Sequence, residues 1–255
     1  MYPGLERRAD MIDLHAHILP SIDDGAYDMD CAVAMAALAA ESGVKIICAT
    51  PHSSVLYNHW DEQMKQSIKS FRERLKEEKI RLLVVPGMEI YGTYEITDLL
   101  KEKKLIGLNG TRYPLVEFDF EGAAASATEI LEELTDAGMR PLIAHPERYL
   151  YVQRDPALLN LWTQMGCLLQ INKGSLLGRF GYEEQMLALE LVRRGFAFCV
   201  ASDAHGASVR TPWMKDVEHL ITEEFSREAA EVLLNINPLR LLKDEEIGVI
   251  EPEWF

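Results

Sequence analysis

Short apolar segments alternate with longer amphipathic segments along most of the chain. Residues 44–50 are apolar and rich in β-branched side chains, which is typical of a buried strand, whereas residues 60–78 have one charged and one apolar face, which is typical of a surface helix. The same reasoning predicts seven strands, at 11–17, 44–50, 81–86, 113–119, 140–144, 167–171 and 196–201. Helices are predicted between and after them, at 28–42, 60–78, 96–104, 127–137, 156–165, 182–194, 224–235 and 239–246.

This alternation of short buried strands with helices predicts an α/β fold with a parallel sheet. An open, doubly wound sheet would need a glycine-rich phosphate turn after a strand, and the sequence contains none. A closed barrel of seven strands fits better. Because no repeat, low-complexity stretch or flexible linker interrupts the pattern, we predict a single domain over residues 11–255, preceded by a short N-terminal extension at 1–10.

Composition narrows the possible partners and the location. Acidic residues outnumber basic ones by 41 to 26, so the formal net charge is −15, and such a surface repels nucleic acid. The four cysteines are widely spaced and none forms a CxxC pair, which predicts reduced core residues in a cytoplasmic protein. No apolar run approaches the roughly 20 residues of a membrane span, and the polar first residues do not resemble a secretory signal.

Nearly every predicted strand is followed, at its C-terminal end, by a histidine or a carboxylate. Residues i and i+2 of a strand point to the same side, so His15 and His17 can aim both imidazoles at one point. Asp23 and Asp24 follow in a turn and offer further oxygen ligands. Six of the seven strands contribute such residues, and in a barrel their ends meet at one rim. The candidate metal ligands at these strand ends are His15, His17, His52, Glu89, Glu117, His145, Asp203 and His205.

This set of donors is larger than one ion requires, since a catalytic zinc takes three protein ligands plus water. The sequence therefore predicts two or three ions. Mixed imidazole and carboxylate donors suit manganese, iron or zinc, and no thiolate lies at the predicted rim. The sixth strand differs, because it ends in Asn172 and Lys173.

Two arginines, Arg148 and Arg210, follow the same strand ends. A guanidinium matches phosphate with two parallel hydrogen bonds, so metals and arginines together predict a phosphoester substrate, although each arginine alone could equally be a salt-bridge partner or a solvated loop residue. We give Lys173 a minor possible role in phosphate binding. A phosphatase with a nucleophilic cysteine would need an arginine six positions after that cysteine, and none of the four cysteines has one.

These residues occur in segments that resemble the polymerase-and-histidinol-phosphatase (PHP) superfamily, and most closely the bacterial manganese-dependent protein tyrosine phosphatases of capsule and exopolysaccharide synthesis. The segments that carry the resemblance are DLHAHILPSIDDG (13–25), ATPH (49–52), GMEI (87–90), LVEF (115–118), AHPERY (144–149), GSLLGRFG (174–181) and ASDAH (201–205). Ala16, Ser21 and Ser53 depart from the family pattern, which has Cys, Gly and His near these positions. None of the three is an assigned ligand, so the departures bear on substrate choice rather than on metal binding.

The resemblance implies a distorted seven-stranded (β/α)7 barrel that holds three ions, most simply Mn²⁺. It assigns His15, His17, Glu89 and Asp203 to one ion, Glu89, Glu117 and His145 to a second, and Asp24, His52 and His205 to a third. It also implies that Arg148 and Arg210 bind the phosphate, and that the partner is a tyrosine-phosphorylated protein such as an autophosphorylating tyrosine kinase of polysaccharide export.

The expected reaction is direct hydrolysis of phosphotyrosine by a metal-activated water, with the arginines stabilising charge on the phosphoryl oxygens. His205 or Asp203 is a candidate proton donor to the leaving group. Three alternatives stay open: a small-molecule phosphatase such as a histidinol phosphatase, a metal-dependent amidohydrolase, and a metal-stabilised module that binds a phosphorylated partner without turnover. Seven strands and Glu117, where an amidohydrolase usually has a bridging lysine, argue against the amidohydrolase.

Overall fold

The computed structural model describes residues 10–248 and 250–255. Its strands within these residues are β1 (Met11–Ala16), β2 (Val44–Ala49), β3 (His52–Ser53), β4 (Leu83–Pro86), β5 (Glu89–Tyr91), β6 (Leu115–Glu117), β7 (Leu142–Ala144), β8 (Leu168–Asn172) and β9 (Ala197–Ala201). The α-helices are α1 (Met29–Glu41), α2 (Glu62–Glu77), α3 (Ile96–Lys101), α4 (Ala124–Asp136), α5 (Leu150–Arg154), α6 (Leu158–Gln164), α7 (Lys173–Leu176), α8 (Tyr182–Arg193), α9 (Lys215–Glu224), α10 (Arg227–Glu231) and α11 (Asn237–Leu242). Two 3₁₀ turns (Leu108–Gly110 and Pro146–Arg148) and one π-helical segment (Val232–Ile236) complete the described structure.

Helix boundaries follow local capping chemistry. The Asp28 carboxylate accepts a hydrogen bond from the Cys31 N–H at 2.8 Å and so begins α1, and the Asp61 carboxylate does the same for Met64 at the start of α2. The predicted helix at 224–235 is instead divided into α10 and the π-helical segment, with Ser226 capping α10. Among the described residues, no helix combines the length and apolar character needed to cross a membrane.

All strand pairs are parallel and form two sheets, one with the order β1-β2-β4 and one with the order β3-β5-β6-β7-β8-β9. The sheets share one register where they meet. Ala49 lies opposite Pro86 at the end of the first sheet, and His52 lies opposite Glu89 three residues further along both strands. Since Pro51 has no N–H to donate, the ladder is interrupted there and resumes in β3 and β5.

The outer strands of this arrangement also approach each other. The Asp203 N–H donates to the His15 carbonyl at 2.9 Å, the His17 N–H donates to the Ala204 carbonyl at 2.8 Å, and Ala16 and Ala204 form an isolated bridge. The predicted α/β fold with parallel strands is therefore confirmed. In the described residues, however, the strands number nine in two sheets rather than seven in one closed sheet, because β3 and β5 are additional short strands that lie beyond the strands predicted at 44–50 and 81–86.

Successive residues of the strands face two different apolar layers. Along β2, Ile46 and Cys48 belong to an inner cluster with Leu168 from β8, whereas Ile47 belongs to a second cluster between the strands and the helices. Leu241 and Leu242 of α11 join the inner cluster. Both faces of the strands are thus buried, and the packing on both sides holds the C-terminal ends of the strands in fixed positions.

Candidate metal centre

The C-terminal end of β1 places two histidines in the interior of the protein. His15 and His17 are both fully buried, and their Nε2 atoms lie 3.2 Å apart, as expected for residues i and i+2 that point the same way. Gly25 allows the following turn to fold against this pair, because a side chain at Gly25 would overlap the backbone and Cβ of His17. The turn thereby brings Asp23 and Asp24 to the cluster.

The first group of converging side chains contains His15, His17, Glu89 and Asp203. One Glu89 oxygen lies 3.1 Å from His15 Nε2 and the other lies 3.1 Å from His17 Nε2. Asp203 Oδ1 lies 3.5 Å from both nitrogens. All four side chains are essentially buried, and they come from β1, β5 and the loop after β9.

The second group forms around the shared carboxylate of Glu89, which begins β5. His145 Nε2, after β7, lies 3.1 Å from Glu89 Oε1 and 3.6 Å from Glu117 Oε1 at the end of β6. His52 Nδ1 lies 3.1 Å from Glu89 Oε2 and 3.8 Å from Glu117 Oε2, so this imidazole borders the group as well. His52, Glu89 and Glu117 each offer one ligand atom, and these three atoms lie within 4.8 Å of one another.

The third group lies closest to solvent. Asp24 Oδ1 is 3.5 Å from His52 Nε2 and 3.5 Å from His205 Nε2, and His17 lies beside them. The Asp24 side chain is 65% exposed, so this group opens to the surface. All nine predicted ligands are therefore brought together in one cluster, which we call the nine-residue cluster: His15, His17, Asp24, His52, Glu89, Glu117, His145, Asp203 and His205.

The spacing of these atoms fits divalent ions. Two ligand atoms bound to one ion at about 2.1 Å lie roughly 3.0–3.4 Å apart in octahedral or tetrahedral geometry, which is close to the contacts seen here. Glu89 Oε2 is a buried oxygen without a hydrogen-bond partner among the described residues, although it lies 3.1 Å from His17 Nε2 and from His52 Nδ1. An unsatisfied buried carboxylate oxygen is costly, and a cation removes that cost.

The electrostatics of the cluster favour a cation as well. Burial alone would lower the pKa of His15, but the charges of Glu89 and Asp203 outweigh burial and raise it. Burial would also lower the pKa of His17, but its hydrogen bonds to Asp203, Asp23 and Glu89 raise that pKa well above its usual value. Burial and the neighbouring charge of Glu89 raise the pKa of Glu117 to about 7. The cluster thus carries excess negative potential, which stabilises positive charge placed among its ligand atoms.

Three further polar residues orient the predicted ligands from outside the cluster. Asp23 Oδ2 lies 2.7 Å from His17 Nδ1, and Gln170 Oε1 lies 2.9 Å from His15 Nδ1. Each contact leaves Nε2 as the nitrogen that faces the cluster. Asn172 donates its amide to Asp203 Oδ2 at 2.6 Å. The sequence analysis did not predict that Gln170 and Asn172 orient metal ligands. The sequence feature that indicates such a role is a polar side chain within or at the end of a buried strand.

Both predicted arginines reach the same carboxylate. Arg210 Nη2 lies 2.6 Å and Arg148 Nη1 lies 3.4 Å from Asp203 Oδ2, while Asp203 Oδ1 faces the histidines. The Arg148 guanidinium lies 4.5 Å from the ring centroids of both Phe120 and Phe180. The two rings restrict the motion of the cation.

Three residues of this site are among the nine non-glycine residues with a positive φ angle in the described part of the chain. His145, Asp203 and Arg210 have positive φ angles of 34°, 48° and 47°, in the left-handed region that non-glycine residues rarely adopt. Each such residue costs roughly 1–3 kcal/mol and persists only where its surroundings over-determine it. With these backbone conformations, the side chains of His145 and Asp203 face the cluster.

Other candidates have different roles. Lys173 is buried, and its Nζ donates to the carbonyls of Thr211 and Trp213 at 2.6 Å each, so it anchors the segment after Arg210 rather than offering its amine to phosphate. His59 contacts the Ser54 carbonyl and belongs to none of the three metal-ligand groups. The four cysteines are buried and form no disulfide, and burial raises the pKa of Cys167 to about 12.

Comparison with known proteins identifies relatives of this chain. Residues 11–243 match the family profile for capsular polysaccharide synthesis, CpsB/CapC. The chain is 35% identical over 238 residues to tyrosine-protein phosphatase YwqE of Bacillus subtilis, which covers 93% of each protein. It is 29% identical over 243 residues to tyrosine-protein phosphatase CpsB of Streptococcus pneumoniae, which covers 93% of this chain and all of CpsB.

Solved structures support the same relationship. The crystal structure of YwqE, described together with CpsB as a unique metal-dependent tyrosine phosphatase, matches with a TM-score of 0.90 at 35% identity and covers 96% of this chain and 99% of the other. Dihydropyrimidinase from Brevibacillus agri matches with a TM-score of 0.57 at 11% identity over 95% of this chain and 72% of the other. That second likeness concerns the fold alone.

Proposed function

The chain belongs to the CpsB/CapC family of capsular polysaccharide synthesis proteins, and we propose that it is a metal-dependent protein tyrosine phosphatase that hydrolyses phosphotyrosine with a metal-activated water. The observation that carries this proposal is the meeting of the nine-residue cluster with two arginines at the single carboxylate of Asp203.

We propose that three ions occupy the cluster, with Mn²⁺ as the native metal and iron or zinc as alternatives. His15, His17, Glu89 and Asp203 would hold the first. Glu89, Glu117 and His145 would hold the second, and Asp24, His52 and His205 the third. The ions would supply an activated water at neutral pH and neutralise charge on the phosphoryl group.

The chain's own residues bind and orient the phosphate. Arg148 and Arg210 point their guanidinium groups at one place, and both can donate to phosphoryl oxygens in the bidentate manner that phosphate favours. Because these arginines already lie at Asp203, they need little rearrangement when substrate arrives. Such preorganised donors stabilise charge that develops during phosphoryl transfer.

The geometry argues against the proton donors expected from the sequence. Asp203 is 2% exposed, and its Oδ2 already accepts from Asn172, Arg210 and Arg148, which leaves no room for a proton. His205 directs Nε2 to the third group and has Nδ1 3.0 Å from the Asp203 carbonyl. Without an acid, the leaving group must depart as an anion, which a tyrosine phenol with a pKa of about 10 does more readily than an alkyl alcohol. This supports phosphotyrosine over histidinol phosphate.

The natural partner that we propose is a tyrosine-phosphorylated protein, specifically an autophosphorylating tyrosine kinase of polysaccharide export. The family's role in capsular polysaccharide synthesis supports it. The shared register of the two sheets and the contacts between β1 and the segment after β9 also support our proposal that the strands form one distorted barrel of seven strand positions, with β2 continued by β3 and β4 continued by β5.

The proposal is tested by substrate comparison with protein purified without chelator. Metal content is measured first, and kcat/KM is then determined with Mn²⁺ for a phosphotyrosine peptide, a phosphoserine peptide and histidinol phosphate. We expect the phosphotyrosine peptide to be preferred. A preference for histidinol phosphate would support the small-molecule phosphatase instead. If the intact, metal-loaded protein binds the phosphotyrosine peptide but does not hydrolyse any of the three substrates, the result would support the binding module.

A further inference from the structure

The loops around the nine-residue cluster carry unusually exposed apolar side chains. Leu56, Tyr27 and Val209 are 86%, 76% and 73% exposed and lie in the loops that follow β3, β1 and β9. These are the loops that surround the cluster. A pocket for a small phosphate ester alone has no need of apolar groups outside it, whereas a surface that receives a polypeptide does.

A groove connects part of this apolar rim with the cluster. It has a volume of about 500 Å³ and runs between the first turns of α1 and the segment 205–210. Tyr27 and Ala34 lie on one wall, and Ala207 and Val209 lie on the other. His205 of the third group and Arg210 also line the groove. The groove is therefore continuous with the place where phosphate would bind.

The walls of the groove are stably built. Ser21 donates its hydroxyl to the Tyr27 carbonyl at 2.9 Å and fixes the loop after β1, while Asp28 caps α1. On the other side, the His205 N–H donates to the Arg210 carbonyl at 2.9 Å, which closes the segment 205–210 on itself. Asp30 lines the groove beside Tyr27, pairs with Arg74 at 3.3 Å and places a carboxylate where an acidic side chain of the ligand would meet it.

We propose that this groove binds the polypeptide next to the phosphotyrosine and accepts an apolar side chain adjacent to it in sequence. This inference rests on the proposed phosphatase function. It assigns substrate selection to residues that are outside the metal cluster: the phosphate is held by the arginines, and a neighbouring apolar side chain of the substrate packs between Tyr27 and Val209. An acidic neighbour would face Asp30 and lose that contact.

The test compares two phosphotyrosine peptides that are identical except for the residue next to the phosphotyrosine, which is Leu in one and Glu in the other. The substrate p-nitrophenyl phosphate, which has no peptide chain, serves as the reference. In the Mn²⁺-loaded wild type, we expect a lower KM for the Leu peptide. Ala34→Glu, at an exposed helical position, should raise KM for the Leu peptide about tenfold, as expected when one apolar side chain loses its burial, and leave p-nitrophenyl phosphate turnover unchanged. The matched control is Ala125→Glu at an exposed position of α4, which does not line the groove and should change neither substrate.

Three other outcomes would overturn the proposal that the groove binds the substrate peptide. Equal KM values for the two peptides in the wild type, or an unchanged Leu-peptide KM in Ala34→Glu, would show that the groove does not contact the substrate. If Ala34→Glu alters only the oligomeric state, measured by light scattering, the groove is an interface between copies of this chain. Absence of p-nitrophenyl phosphate and phosphotyrosine hydrolysis by the metal-loaded wild type would refute the phosphatase function itself, which is a distinguishable result.

Discussion

The aromatic sandwich around Arg148 gives the sharpest test of the phosphate-binding proposal. Phe120 and Phe180 each lie 4.5 Å from the Arg148 guanidinium, and that side chain is only 18% exposed. Phe180 also lies 5.8 Å from the Arg210 guanidinium. Its ring packs directly on the backbone of Gly174, where any side chain would overlap the ring. Phe180 is thus a positioning residue for both arginines.

The expected size of its effect follows from the partial burial. A cation–π contact contributes about 0.5–1 kcal/mol when exposed and about 2 kcal/mol when desolvated, so one ring on this mostly buried arginine is worth about 1.4 kcal/mol. Phe180→Leu keeps an apolar side chain but removes the ring. We expect kcat/KM for a phosphotyrosine peptide to fall about tenfold, because a loss of about 1.4 kcal/mol of transition-state stabilisation corresponds to a tenfold decrease in kcat/KM.

A double-mutant cycle separates positioning from general destabilisation. In an Arg148→Ala background, Phe180→Leu should cost less than about threefold, because the ring has lost its main partner. Phe180→Tyr keeps the ring face and should restore activity, and Phe225→Leu, at a partly buried phenylalanine before α10, is the control for loss of an aromatic ring elsewhere. An equal loss from Phe180→Leu with and without Arg148 would refute the reasoning, as would wild-type activity in the single variant.

The remaining predictions concern the ions and the thiols. Asp23→Asn weakens the carboxylate contact to His17 Nδ1 and should reduce metal affinity by about 10–100-fold, measured by competition with a fluorescent chelator; unaltered affinity would mean that Asp23 does not orient this ligand. Removing bound ions by dialysis against a chelator should lower the melting temperature, because the buried carboxylates of Glu89 and Asp203 lose their counter-charge, and Mn²⁺ should restore it; identical melting of chelated and reloaded protein would argue against ions in the cluster. Since burial raises the pKa of the Cys167 thiol to about 12, Cys167→Ser and treatment with iodoacetamide should leave kcat unchanged, and inactivation by either would point to thiol chemistry.

The parts of the site that could be predicted are those that depend on strand ends. A parallel α/β fold brings the C-terminal ends of its strands to one side, so a histidine or carboxylate at such an end can be assigned to a common site before any distance is known. His15 and Asp203 are examples: one lies near the end of β1 and the other follows β9, yet their side chains lie 3.5 Å apart. The ordering of ligands into three groups came from family resemblance, not from this rule.

The parts that could not be predicted depend on register and on side-chain contacts between loops. Gln170 reaches His15 only because β8 lies where it does relative to β1, and the two residues are 155 positions apart. Phe180 stacks on Arg148 through a loop whose path the sequence pattern does not define. Lys173 was misjudged for a related reason: a lysine after a strand resembles a phosphate ligand, but two backbone carbonyls already occupy its amine.

Asp203 connects the two halves of this site, because each of its oxygens serves a different partner. Oδ1 faces His15 and His17 at 3.5 Å, and Oδ2 accepts from Arg210 at 2.6 Å. Asp203 is one of the residues that would hold a divalent ion, and such an ion would compete with the arginines for the negative charge of this carboxylate. Arg148 and Arg210 could then exchange Asp203 for the phosphoryl oxygens of the substrate by small movements, while Phe120 and Phe180 keep Arg148 in place. The same carboxylate thus holds two arginines beside the place where we propose that phosphate binds.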